Sequence, residues 1–365
     1  MGDRQVRRAY VGSFTAAGGP GVVSAAVDPD SGALTVLAAT DAVPDPSYLA
    51  LAPGADTLYA VSETSDGALA AFRVSGGSGG SGGSAGSGSS GGSGDRLELL
   101  AGPVPVQGDA PTHLTLHDGH LIAANYGSGS LTAVPVHADG SLAPAPASVL
   151  RHEGSGPHPQ RQQAPHAHQV LADPSGRWVV SVDLGTDSVR VCALGGDGRL
   201  TLHREVALRP GSGPRHMAFH PRGEHAYVLN ELAPTLTVCA WDAADGSLKP
   251  LSETPVLAGA PDGDAYPSAI VVAPDGRFLW TATRGEDVLS VFALDPQGDT
   301  ARLTATVPCD GHWPRDLTLD PSGRFLYAAN ERSGDVTWFT VDPDTGLPRR
   351  AGAVAVPAAS CVVFG

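Results

Sequence analysis

Along most of the chain, apolar and polar residues alternate in short runs, and each run stops at a cluster of Gly, Pro, Asp or Ser. That is the pattern of half-buried strands joined by tight turns. No long stretch carries a 3.6-residue apolar period free of glycine and proline, so the chain predicts strands and not helices. The runs group in fours. The clearest group begins at Pro314 and reads PRDLTLDPSGRFLYAANERSGDVTWFTVDPDTGLP. It has an alternating run, a PSG turn, a second run ending in polar residues, a short turn, a third run, and DxxxG before a fourth. Related groups begin at Pro46, Pro111, Ala167, Pro214 and Pro267.

Successive groups start 65, 56, 47, 53 and 47 residues apart. The first interval contains Ser75 to Gly94, 20 residues of only Ser, Gly and one Ala, which read as a flexible insertion with nothing to bury. With the insertion removed, every interval matches the period of propeller blades. The two ends then complement each other: YVGSFT, GVVSAAVD and GALTVLAAT supply three strands without an inner partner, and PAASCVVFG supplies one strand without a blade. Two tandem β-sandwiches would explain neither the constant period nor these half-blades. The predicted fold is all-β, a seven-bladed β-propeller of four-stranded antiparallel blades, one blade closed by N- and C-terminal strands. Residues 1–365 form one domain in this reading.

In such a meander the first strand of each blade starts at the face of the ring where the second strand ends, so two sequence columns map one mouth. Counting back six residues from the turn proline gives Ser47, His168, Arg215, Ser268 and Arg315, with Thr112 by analogy in the shortened second group. Counting four past the aromatic residue opening the second strand, or its equivalent, gives Glu63, Tyr126, Asp183, Glu231, Arg284 and Glu331, with Phe14 in the split blade. Structural columns of a repeat keep one residue type. These columns instead collect a histidine, arginines and carboxylates, a mixture suited to acid/base work and anion binding.

Composition narrows the partner. Lys plus Arg number 23 against 38 Asp plus Glu, a formal charge of −15, which repels phosphate backbones and anionic membranes, so neither nucleic acid nor a membrane is an expected partner. No segment of 18 apolar residues occurs, and a cytoplasmic location is expected. Lys249 is the single lysine, so a bound anion must be held by arginine or histidine. Cys192, Cys239, Cys309 and Cys361 show no CxxC spacing, and Cys192 stands where Phe292 stands in a later group, as a buried filler.

The stretch RHEGSGPHPQRQQAPHAHQV, Arg151 to Val170, is a long loop dense in histidine and is expected to lean over the mouth and narrow it. His166 and His168 alternate, but no partner stands at a metal-ligand spacing, so neither a metal nor an organic cofactor is expected. His152 and His158 are read as surface residues. Phosphate-loop, dinucleotide and nucleophile-elbow motifs are absent, and the DPSG and DPDTG strings are assigned to turns, not to calcium.

GSGPRHMAFHPRGEHAYVLNEL, Gly211 to Leu232, with YVGSFT, the GPHPQRQQAPHAH loop and RFLYAANERSGDV, resembles the bacterial lactonase-type seven-bladed propellers over almost the whole chain outside the insertion. That family includes propeller-type 6-phosphogluconolactonases and is similar to fungal carboxymuconate cyclases. The resemblance implies a catalytic group of His168, Arg215, Glu231 and Arg284, and hydrolysis of a small anionic lactone by an activated water. A lactonising cyclase and a non-catalytic binding propeller are the alternatives. His168 or Glu231 activates the water, and the arginines hold the oxyanion and the anionic group. The expected substrate-binding residues are Arg315, chosen by its column, with His166, Asn230 and His216.

Overall fold

The computed structural model describes residues 7–74 and 96–365; the Ser/Gly insertion at 75–94 lies outside them. The described residues form seven antiparallel sheets. Six follow chain order, with inner strands at Leu49–Leu51, Pro111–His117, Ala167–Ala172, Pro214–Phe219, Tyr266–Val272 and Pro314–Leu319. The seventh takes its inner strand, Ala359–Phe364, from the C-terminal end and pairs it with Arg7–Ser13, followed by Val22–Val27 and Leu34–Thr40. This is the predicted ring, including the split blade. Burial falls outward: the inner and second strands of the third blade are almost wholly buried, whereas its outermost strand, Leu200–Ala207, is exposed at most positions.

The repeated turn aspartates act as the sequence suggests. Asp173 and Asp320 each accept hydrogen bonds from main-chain N–H groups of their own hairpin, including those of Trp178 and Phe325. The aromatic residue that opens a second strand has a longer reach. Tyr59, Tyr227 and Tyr327 donate their hydroxyls to the carbonyls of Gly140, Gly298 and Gly32 in the next blade, at 3.0, 2.8 and 2.7 Å, and Trp280 donates Nε1 to Gly346 at 2.7 Å. A buried hydroxyl or indole N–H needs a partner, and the left-handed glycine of the turn before the outermost strand offers its carbonyl. The repeat therefore encodes blade-to-blade latches as well as strands.

Six of the seven inner strands carry a β-bulge near their start. Pairing skips one residue between Pro111 and His113, Ala167 and Gln169, Pro214 and His216, Pro267 and Ala269, Pro314 and Asp316, and Ala359 and Cys361. The skipped residues are Thr112, His168, Arg215, Ser268, Arg315 and Ser360. Five of them belong to the first-strand column read from sequence, whose sixth member, Ser47, stands ahead of the ladder of the first blade without a bulge; Ser360 joins it in the split blade. A bulge places two residues opposite one, breaks strict alternation and re-aims side chains.

Candidate active site

At the mouth each second strand delivers one residue past its last ladder pair. The main-chain N–H groups of Phe14, Glu63, Tyr126, Leu184, Glu231 and Glu331 donate to the carbonyls of Ala358, Asp45, Ala110, His166, Gly213 and Trp313, so these residues share one place in six blades. Arg284 ends the second strand of the remaining blade, opposite Tyr266. The third blade therefore presents Leu184, and Asp183 is not at the mouth as expected. In that blade Val180 holds the place of Tyr227, two residues beyond Trp178, so counting from the tryptophan does not give the register. Asp183 is instead fully buried, accepting from His152 Nδ1 at 2.6 Å and from the N–H groups of His166, Gly185 and Thr186. His152, expected at the surface, is buried as its partner.

Glu231 is the centre of the cluster. Its Oε2 lies 2.7 Å from Arg284 Nη2 and 3.1 Å from Arg215 Nε, and its Oε1 accepts from Arg161 Nη2 at 2.7 Å. The Arg215 contact is an ion pair off hydrogen-bond alignment, and Arg215 also donates Nη1 to the carbonyl of Ser268. Burial would raise the Glu231 carboxyl, but Arg284, Arg215 and Arg161 outweigh it and hold it at about 2. Burial, with Arg284 beside it, brings Arg215 down to about 9, which leaves it charged at neutral pH.

Arg161 comes from the long loop, which does lean over the mouth. The turn is set by His158, whose Nδ1 accepts from the N–H groups of Gln160 and Arg161. It is anchored by fully buried Gln162, which donates to the Leu184 carbonyl and to Asp187 at 2.8 and 2.7 Å. Arg161 then spans from Tyr126, whose hydroxyl lies 3.3 Å from Nη2, to Glu231. No column of the repeat contains a loop residue, so the counting could not reach Arg161; its signal was an arginine in the middle of a loop expected over the mouth.

Next to this cluster runs a file of rings. His168 meets His216 edge to face at 5.2 Å, His216 meets His113 at 5.5 Å, and His113 stacks on Tyr48 at 3.9 Å. His168, His216 and His113 are buried, and burial first, then the arginine charges, keep them uncharged: His113 falls to about 3 and the other two well below the usual histidine range. His113 follows the bulge residue Thr112 directly, as His216 follows Arg215, a position that strict alternation assigns to the opposite face; Tyr48 follows Ser47, ahead of the short inner strand of the first blade.

The other expected residues divide. Arg315 is held between Glu63 at 3.3 Å and Glu331 at 3.4 Å, with its guanidinium 4.7 Å above the ring of Phe14. His166 stacks on Tyr126 at 4.5 Å, with Nδ1 2.9 Å from the Tyr126 carbonyl. Asn230 is different: it is fully buried and spends both amide protons on Thr235 and Thr237, as Asn125 does on Ser130 and Thr132. It closes a strand end as a repeat element, with its Oδ1 left without a partner. Trp313, which no column contained, lies at the rim with Arg332 3.3 Å and Arg284 5.6 Å from its ring centre. Among the described residues no group of three or more His, Cys, Asp or Glu is arranged to hold a metal ion, and no helix is long and apolar enough to cross a membrane.

A ring mouth that gathers buried arginines, an ionised carboxylate and uncharged histidines can bind an anion, stabilise a developing oxyanion and accept a proton. The family described as "Lactonase, 7-bladed beta-propeller" matches residues 8–364. The chain is 33% identical over 310 residues to a Bacillus subtilis (strain 168) protein named 6-phosphogluconolactonase, covering 83% of this chain and 82% of that one. A solved putative 6-phosphogluconolactonase from Bacteroides fragilis NCTC 9343 is similar at TM-score 0.88 and 26% identity, over 100% of this chain and 99% of the other. The periplasmic gluconolactonase of Pseudomonas aeruginosa is similar at TM-score 0.87 and 31% identity, over 98% and 99%. With the family matched across nearly its whole length, the chain belongs to the lactonase family of seven-bladed β-propellers.

Proposed function

We propose that this protein hydrolyses a sugar lactone to the open-chain acid, with 6-phosphogluconolactone as the leading substrate. The observation that carries the reading is an uncharged, buried His168 at the bulge position next to that of Arg215, with Arg215 and Arg284 held by Glu231.

His168 takes a proton from water as the water oxygen bonds to the lactone carbonyl carbon. Arg215 and Arg284 meet the negative charge that develops on the carbonyl oxygen. As the bond to the ring oxygen breaks, the imidazolium returns its proton to that oxygen. The new carboxylic acid then ionises and releases one proton. Glu231 is a poor base here, since both its oxygens face arginines and its carboxyl sits at about 2; its part is to position the guanidinium groups. Burial first, and then the arginine charges, hold His168 far from protonation, and an anionic substrate beside it offsets the arginine part and moves its basicity toward neutrality. Arg315, flanked by two carboxylates, fits sugar hydroxyls better than a second anion. His166 and His216 line the same region. The four cysteines are free and buried, consistent with a reducing compartment, and the cytoplasm is the proposed location.

The test is proton release from freshly generated 6-phosphogluconolactone and from unphosphorylated gluconolactone, each above its spontaneous rate. Acceleration of either supports lactone hydrolysis. Acceleration of neither rejects it and favours a lactonising or purely binding role.

A further inference from the structure

The arginines of the mouth are not equivalent. Arg215 and Arg284 have side chains 3% and 8% exposed, whereas the Arg161 side chain is 35% exposed on a loop above them. Arg161 makes its two polar contacts through a single nitrogen, Nη2, at 2.7 Å to Glu231 Oε1 and 3.3 Å to the Tyr126 hydroxyl. The backbone beneath it is fixed by the buried Gln162 anchor and by the His158 turn. A fixed backbone with a solvent-reaching guanidinium is built for a side chain that changes partner while its loop stays in place.

Charge decides what that partner is. Arg161, Arg215 and Arg284 meet one carboxylate directly, Glu231, while Asp316 acts on Arg215 and Glu331 on Arg284 from farther off, which leaves an excess of positive charge at this side of the mouth. On the other side Arg315 faces Glu63 and Glu331, a net negative pairing. In a chain of formal charge −15, a local excess of positive charge is a focused site for a phosphate. The guanidinium fork matches phosphate oxygens bidentately, and Arg161 offers its fork to solvent, whereas Arg215 and Arg284 are committed to Glu231 and to main-chain carbonyls.

We propose that Arg161 is the specificity-determining residue for a phosphorylated substrate: it leaves Glu231 and Tyr126 to hold the phosphate, while Glu231 keeps Arg215 and Arg284 in place for the lactone carbonyl. The proposal rests on the lactonase reading and adds to it the residue that separates phosphorylated from unphosphorylated lactones.

Two measurements on the full chain test it. In the first, kcat/KM is determined for 6-phosphogluconolactone and gluconolactone with the wild type, Arg161→Ala and Arg161→Lys. The preference for the phosphorylated lactone should fall roughly 10–100-fold in Arg161→Ala, mostly through KM, with partial recovery in Arg161→Lys, which restores the charge but not the fork. Equal losses on both lactones would overturn the proposal, because a residue that only supports Glu231 affects both alike. The second measurement is calorimetric binding of 6-phosphogluconate and of gluconate, which needs no turnover. The wild type should bind the phosphorylated acid more tightly, and Arg161→Ala should lose that difference. If the wild type accelerates neither lactone, the lactonase reading falls, and the binding preference still judges Arg161. No preference in the wild type, or one unchanged in Arg161→Ala, overturns it. Circular dichroism confirms that both variants remain folded.

Discussion

His168 and Arg215 occupy the same position in adjacent blades: each is the residue skipped at the β-bulge of its inner strand, and the two lie 47 residues apart in the chain. In the proposed mechanism the ring thus makes a proton acceptor and an oxyanion donor neighbours by repeating one backbone irregularity. Because each sits on a rigid inner strand, the catalytic geometry depends on blade packing and not on a mobile loop.

The histidine file makes stability sensitive to acid. Unfolded histidines take up protons below about pH 6.5, whereas folded His113, His168 and His216 resist protonation. The unfolded state then binds more protons, so the stability is complete above that pH and is lost as pH falls below it, at about 1.4 kcal/mol per pH unit for each histidine. Urea unfolding at pH 7 and pH 5 measures this, and His113→Asn should reduce the slope by about one proton. A wild-type stability that is flat over this interval contradicts the assignment of uncharged histidines.

Glu231 carries a second acid-dependent contribution. Its carboxyl is depressed from 4.5 to about 2, so its contribution is present above about pH 4.5 and is lost as pH falls through about 2. Glu231→Gln should remove that part of the acid slope and, by leaving buried guanidinium groups without their carboxylate, cost about 3–5 kcal/mol at pH 7. Chemical denaturation of both proteins checks it; a loss below about 1 kcal/mol would mean the cluster relaxes into solvent.

Arg284→Ala separates chemistry from folding. Arg215 and Arg161 remain on Glu231, so the ring should stay folded, while lactone hydrolysis falls on the order of 100-fold through loss of one oxyanion donor. Unchanged kcat with a raised KM would instead place Arg284 in uniform substrate binding.

The seven blades were legible because each blade repeats the same turns and alternating runs, and the split blade was legible because its halves complement each other. The bulge column was legible because His168, Arg215 and Arg315 stand at a fixed distance from a turn proline. Ser360 escaped because no such proline follows it, and Asp183 was misplaced because the third blade opens its second strand with Val180 in the place of Tyr227. His113 lay hidden by the bulge at Thr112, which breaks the alternation used to read faces. Asn230 looked functional beside Glu231, yet its environment is the strand-end hydrogen bonding that Asn125 repeats. Arg161 has no repeat position at all; only the folded loop brings it to Glu231.

The most direct measurement is the turnover of 6-phosphogluconolactone by the wild type and by His168→Gln at pH 7, followed by proton release. The account predicts acceleration by the wild type and a kcat lowered at least ~100-fold in His168→Gln, the scale of a lost general base. A His168→Gln protein that turns over at the wild-type rate would contradict it.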